Sequence, residues 1–174
     1  MTAATSFIGG TEQQGVQRLS TPILLGGAVQ NRSSPYDATR QVDEALLRHL
    51  AELLGRLSAV ARASLFPANK QESLVVAFDT APYPEPVEAV QLDIRAYTNG
   101  AFHVAYVETY LGTERTCRWD RHEQDHNSRD HFHPLPDASS AEAEDRSFPA
   151  DLTAVFRDVV LPWVERRVGD VWRE

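Results

Sequence analysis

One cysteine, one lysine and one methionine are all that 174 residues contain of these three types. With Cys117 alone, an internal disulfide is excluded, and so is a zinc site built on several thiolates. No apolar run approaches the roughly 18 residues needed to cross a bilayer, so no membrane contact is expected. The start of the sequence has no basic region leading into an apolar block; a signal peptide is not expected, and the expected location is the cytoplasm. The shortage of lysine leaves arginine to supply all but one of the seventeen basic residues, against twenty-five acidic ones. A net charge of -8 gives no global field that would draw in nucleic acid, so any RNA contact must be a local, arginine-bearing patch.

What is present suits one domain with a real core. Residues 1–36, rich in Gly, Ser, Thr and Gln, read as a poorly ordered N-terminal arm, with one short apolar knot at Ile23-Leu24-Leu25. From about Asp37 the pattern changes. Val42, Leu46, Leu50, Leu53, Leu54, Leu57 and Val60 recur at three- and four-residue spacing, predicting a long amphipathic helix capped by Asp37 or Thr39 and stopped by Pro67. His49, alone among leucines on that helix, reads as a boundary residue.

Strand signals follow. Leu74 to Phe78 is short and apolar, and the prolines at 82, 84 and 86 impose an extended connection. Val90, Leu92, Ile94 and Ala96 alternate with polar residues, Asn99-Gly100 marks a hairpin, and Phe102 to Tyr110 returns. Gly112 marks a second turn into Glu114–Asp120. A two-residue loop at Asn99-Gly100 would pair Ala96 with His103, Ile94 with Ala105 and Leu92 with Val107. A two-residue loop at Leu111-Gly112 would pair Ala105 with Arg118 and His103 with Asp120. His103, Arg118 and Asp120 would then share one face, and Tyr97, Phe102, Val104, Tyr106, Cys117 and Trp119 the other. The acidic stretch 134–147 reads as a mobile connection. Leu152, Val155, Phe156, Val159, Val160, Trp163 and Val164 form the stripe of a final helix beginning near Ser147 or Asp151, kinked at Pro162. The expected fold is α+β: a four-stranded antiparallel meander packed with a long N-terminal and a C-terminal helix, in a single domain over 37–174.

The stretch 118–133 has no packing rationale. It holds four of the six histidines, all in its last twelve residues, and over its full length three aspartates and three arginines. Three readings are open. In the first, His122, His126, His131 and His133 supply acid–base chemistry on RNA, Arg118, Arg121 and Arg129 bind phosphate, and Asp120 orients a histidine; Tyr97, Phe102 or Tyr106 could stack a base. In the second, His131 and His133, on one side of an extended segment, hold a divalent metal (zinc, manganese or iron) with Asp120, His122 or His126. No His-Glu-x-x-His motif is present to support it. In the third, the segment is a solvated loop of ion pairs.

Arg118-Trp119-Asp120, the histidines at 122 and 126, and the His131-x-His133 that precedes a C-terminal helix together resemble the TumE-like toxins of prokaryotic toxin–antitoxin pairs. The resemblance spans about residues 72–168. It implies a small toxin neutralised by a cognate antitoxin protein and acting on RNA or translation, and by position it carries over to Arg118, Asp120, His126, His131 and His133. The long N-terminal helix, the arm and the acidic loop depart from the family layout, as does Arg121-His122-Glu123 where Asn-Ala-Pro often follows the aspartate. The leading expectation is an endoribonuclease-like toxin with His126, His131, His133 and Asp120 as catalytic residues. Arg118, Arg121, Arg129 and His103 would bind substrate, and no cofactor is required. The alternatives are a metal-binding hydrolase, with His122, His126, His131 and His133 as ligands, or a non-catalytic interaction module.

Overall fold

Asp43, not Asp37 or Thr39, begins the first helix: its side chain accepts a hydrogen bond from the Leu46 backbone N–H at 2.9 Å, filling one of the free donors of the first turn. The computed structural model describes residues 40–122 and 129–174, so the expected arm at 1–36 and both expected caps lie outside the described residues. The helix α1, Glu44–Leu54, is eleven residues long and ends at Gly55. The expectation of a helix reaching Pro67 is therefore corrected. Leu57 and Val60 continue the apolar spacing only because they pack on the core from a turn and a strand.

Seven strands follow in sequential antiparallel order where four were expected. They are β1 (Val60–Phe66), β2 (Ser73–Phe78), β3 (Val87–Ala96), β4 (Phe102–Tyr110), β5 (Thr113–Arg121), β6 (Asp130–His133) and β7 (Glu144–Asp145). β1 was hidden inside the predicted helix. β6 and β7 were hidden in segments whose polarity suggested loop. The chain ends in α2 (Leu152–Val155), capped by Asp151, a π-helical turn at Phe156–Val160, and α3 (Leu161–Val171). Pro162 stands in the first turn of α3. It has no N–H to offer and its ring crowds the carbonyl four residues back, so the irregularity expected there takes the form of the wider π turn just before it.

Both helical segments cover one face of the sheet. Leu47, Leu50 and Leu54 of α1 join Leu74, Val76, Leu92, Ile94, Val104, Trp119, Val160 and Val164 in one buried cluster. Trp163 packs edge-on to Tyr106 and Trp119, with ring centroids 4.9 and 5.3 Å away. Within this core lies a charged knot. Glu108 is fully buried, yet it accepts from the Tyr106 hydroxyl at 2.8 Å and from Arg167 Nε at 3.0 Å and Nη2 at 2.5 Å. Arg167 also donates to Glu174 at 2.6 Å, bolting α3 to β4.

Two turns decide which residues share a face. Leu111-Gly112 is a true two-residue loop with both φ positive, and it pairs His103 with Asp120 and Ala105 with Arg118, as expected. Asn99-Gly100 belongs instead to a three-residue loop: Gly100 adopts φ +81° and Tyr97 N–H donates to Ala101 O. The observed partners are Ala96 with Phe102, Ile94 with Val104 and Leu92 with Tyr106, one step from the expectation. That single step puts the apolar set of β3 on the helix side, with Val104 and Tyr106. It also moves Tyr97 to the opposite face.

Candidate functional site

Alternation in β5 sends Trp119 and Arg121 to the helix side and Arg118 and Asp120 to the open side. In β6 the same rule sends Phe132 inward and His131 and His133 outward. The β5–β6 register sets Asp120 opposite His131 and Arg118 opposite His133. With His103 across from Asp120 on β4, the open face carries one row, His103–Asp120–His131, and beside it Arg118–His133. His122 extends the line: its ring centroid is 4.8 Å from that of His131, which is 5.0 Å from that of His133.

Asp120 is the hub. Its side chain is 2% exposed, and Oδ2 accepts from Arg118 Nε at 2.6 Å. Oδ2 also lies 3.3 Å from His133 Nε2 and 3.6 Å from His131 Nε2. His103 Nδ1 stands 2.9 Å from Oδ1 without aligning as a full hydrogen bond, so Oδ1 keeps an open acceptor position. Burial works against ionisation of this carboxyl. The close approach of the His103 and His131 rings outweighs it and holds Asp120 well below the usual carboxylate range.

Arg118 fixes the role of His133. Its Nη2 lies 3.0 Å from His133 Nε2, and since a guanidinium only donates, Nε2 must accept. The proton then sits on Nδ1, which donates to Ser139 O at 3.1 Å. The connection expected to be mobile is thus tied over this end of the sheet, also through Thr116 N–H to Pro136 O at 2.6 Å and the β6–β7 pairing. His131 Nδ1, fully enclosed, has no hydrogen-bond partner among the described residues. A buried donor or acceptor without a hydrogen bond is costly, and His131 Nδ1 and Asp120 Oδ1 are both such atoms on adjacent, directly paired residues.

Asp120, His131 and His133 form a buried group whose ligand atoms lie within 4.8 Å of one another and could hold a metal ion. In this arrangement, however, the Arg118 guanidinium already donates into Asp120 Oδ2 and His133 Nε2, atoms that a cation would also need. A cation would have to displace it.

The remaining sequence candidates are placed differently. Arg121 faces the helices, 4% exposed, donating bidentately to Asp130 at 2.7 and 2.8 Å and to the carbonyls of Phe148 and Ala150 at 3.0 Å each. It is a clamp at the β5–β6 end. Arg129 is exposed at the start of β6, where its carbonyl accepts from His122 N–H. His126 lies outside the described residues. Phe102 and Tyr106, considered as stacking platforms, are buried in the core. The sequence reading missed Arg95, exposed directly across from His103, and the placement of Tyr97 on the same face. Correct treatment of Gly100 as the bulge residue of a longer loop would have found both.

Fold and site together define a small α+β protein with a histidine–aspartate–arginine centre on the open face of an antiparallel meander. The family model described as Toxin TumE matches residues 50–168, most of the chain, and the protein belongs to that toxin family. No curated protein and no solved structure matches it. Among the described residues, no helix is long and apolar enough to cross a membrane.

Proposed function

We propose that this chain is a toxin that cleaves RNA in the cytoplasm and is neutralised by a cognate antitoxin protein. The supporting observation is the shared row of His103, Asp120 and His131 beside Arg118 and His133. His103, 28% exposed, turns Nδ1 toward Asp120, which leaves Nε2 to face a substrate. It takes the proton of a ribose 2′-hydroxyl while that oxygen attacks the neighbouring phosphorus. Arg118, a quarter exposed, meets the phosphate oxygens where negative charge builds. A second histidine returns a proton to the departing 5′-oxygen, leaving a 2′,3′-cyclic phosphate and a 5′-hydroxyl. Among the described residues His122, next in line along the face, suits that step. His131 and His133, at 1% and 2% exposed, are too enclosed to meet RNA; His131 backs Asp120 and His133 holds the Arg118 guanidinium.

Induced expression tests this. Wild-type chain should arrest growth and leave RNA fragments with 5′-hydroxyl ends. His103→Ala, at equal protein level, should do neither; undiminished toxicity would reject the assignment. One observation favours a second reading, a metal-dependent hydrolase: the Asp120, His131 and His133 ligand set. Loss of cleavage on chelation and recovery on adding zinc or manganese would select it.

A further inference from the structure

On the helix side of β5 and β6, behind the histidine row, lies an open cleft of about 340 Å³. That is within the roughly 300–1,000 Å³ typical of small-ligand sites. Its apolar wall is aromatic: the half-buried Phe132, Phe148 and Trp163 rings line it, with Phe132 and Trp163 each 5.3 Å, centroid to centroid, from the buried Trp119 beneath. Two guanidinium groups border the same space. Arg146 lies over the Phe132 ring at 5.9 Å and is paired with Glu144; Arg166 is exposed and pairs with no carboxylate among the described residues. Asp158, engaged by Arg157, and Val159 reach the cavity from the π-helical turn. Such turns cost helix stability and occur often where a helix serves a ligand.

We infer that this cavity binds a nucleotide, its base against the aromatic wall and its phosphate on Arg146 and Arg166. Planar apolar rings and two guanidinium groups lining one cleft match a flat heterocycle joined to a phosphate dianion. Aromatic stacking is tolerant of base identity, so the site selects the class and not one base. The same chemistry is presented by a free mononucleotide and by one residue of an RNA strand. Trp119 adjoins Asp120 in β5, and Phe132 stands between His131 and His133 in β6, so an occupant presses on the strands that carry the catalytic row.

Two tryptophans line the cavity, so their emission reports occupancy. The purified full chain, carrying Trp172→Phe to remove the exposed third indole, is titrated with AMP, GMP, CMP and UMP, with a single-stranded RNA hexamer, and with inorganic phosphate. Nucleotides should quench saturably, and phosphate alone should not. Arg146→Ala/Arg166→Ala, with far-UV circular dichroism confirming the fold, should weaken binding at least about tenfold, while His103→Ala should leave it intact. A hexamer binding at least about tenfold more tightly than the mononucleotides assigns the site to an RNA strand; equal affinities assign it to a free nucleotide. No saturable quench up to millimolar nucleotide, or a quench indifferent to the arginine substitutions, overturns the inference. Because His103→Ala separates the two faces, failure here leaves the cleavage reading standing, and the reverse also holds.

Discussion

Asp120→Asn keeps the shape of the hub and removes its charge. Arg118 Nε then meets an amide oxygen or nitrogen at 2.6 Å in place of a carboxylate, and His103 Nδ1 loses its counter-charge at 2.9 Å. Stripping one partner from a fully buried pair costs about 3–5 kcal/mol. Here Arg118 and His103 are each about a quarter exposed and can turn to water, so the expected loss is lower, about 2–3 kcal/mol. Urea unfolding at neutral pH measures it. The pH dependence carries an independent sign. The folded-state pKa of Asp120 is depressed, so its contribution is complete above the unfolded carboxylate value of about 3.9 and is lost as pH falls through the lower folded value. Wild type and Asp120→Asn should therefore differ most at neutral pH, and the gap should narrow progressively as pH falls below about 4, toward the lower folded value. Toxicity should fall with the loss of orientation, by about 10²–10⁴-fold in cleavage rate. Equal stability at neutral pH, or a gap that persists in acid, would show that no ionised hub organises this face.

His131→Ala and His133→Ala should each restore growth to cells expressing the chain, since His131 backs Asp120 and His133 holds Arg118; unchanged toxicity in both would remove them from the mechanism. Purified wild-type protein should carry well below one metal per chain by elemental analysis, while Arg118→Ala, which vacates Asp120 Oδ2 and His133 Nε2, should take up zinc in calorimetric titration. Stoichiometric metal in the wild type would refute the view that the guanidinium fills the cation position. Glu108→Ala should cost about 3–5 kcal/mol in urea unfolding, because Arg167 is left charged and enclosed, whereas Glu108→Leu with Arg167→Met should lie within about 1 kcal/mol of wild type. A mild Glu108→Ala would mean that water reaches this knot.

The face that carries the site was legible on one condition, a two-residue loop at Leu111-Gly112, which sets His103 against Asp120; a bulge at Gly112 would have turned β5 over, and the loop is the two-residue one. The same logic misplaced β3, since an Asn-Gly pair serves both a two-residue loop and the bulge of a three-residue loop, and only packing of Leu92 and Ile94 on the helices chooses between them. β1 was invisible for a related reason. Leucines at three- and four-residue spacing persist through Leu57 and Val60 whether the backbone is helical or has already turned into a strand. The burial of His131 and His133 could not be read at all, because the chain around Ser139 that closes over them has a loop-like composition.

Arg118-Trp119-Asp120-Arg121 shows how much one strand can be asked to hold. Its odd and even positions do opposite work, Arg118 and Asp120 building the charged row while Trp119 and Arg121 anchor it from behind. Arg121, expected to touch substrate, grips Asp130 and two carbonyls instead, and that grip locks the β5–β6 register on which the Asp120–His131 apposition depends. A chain of net charge -8 cannot draw RNA to itself at long range. On the proposed cleavage reading, contact at the histidine row rests on the few cations that this alternation exposes there, Arg95 and Arg118 on the open face and Arg129 at the start of β6. Binding through so small a number of phosphate contacts has a shallow salt dependence, a slope of about -1 to -3 in log affinity against log salt. A steep slope measured on RNA would place the contact surface elsewhere on the molecule.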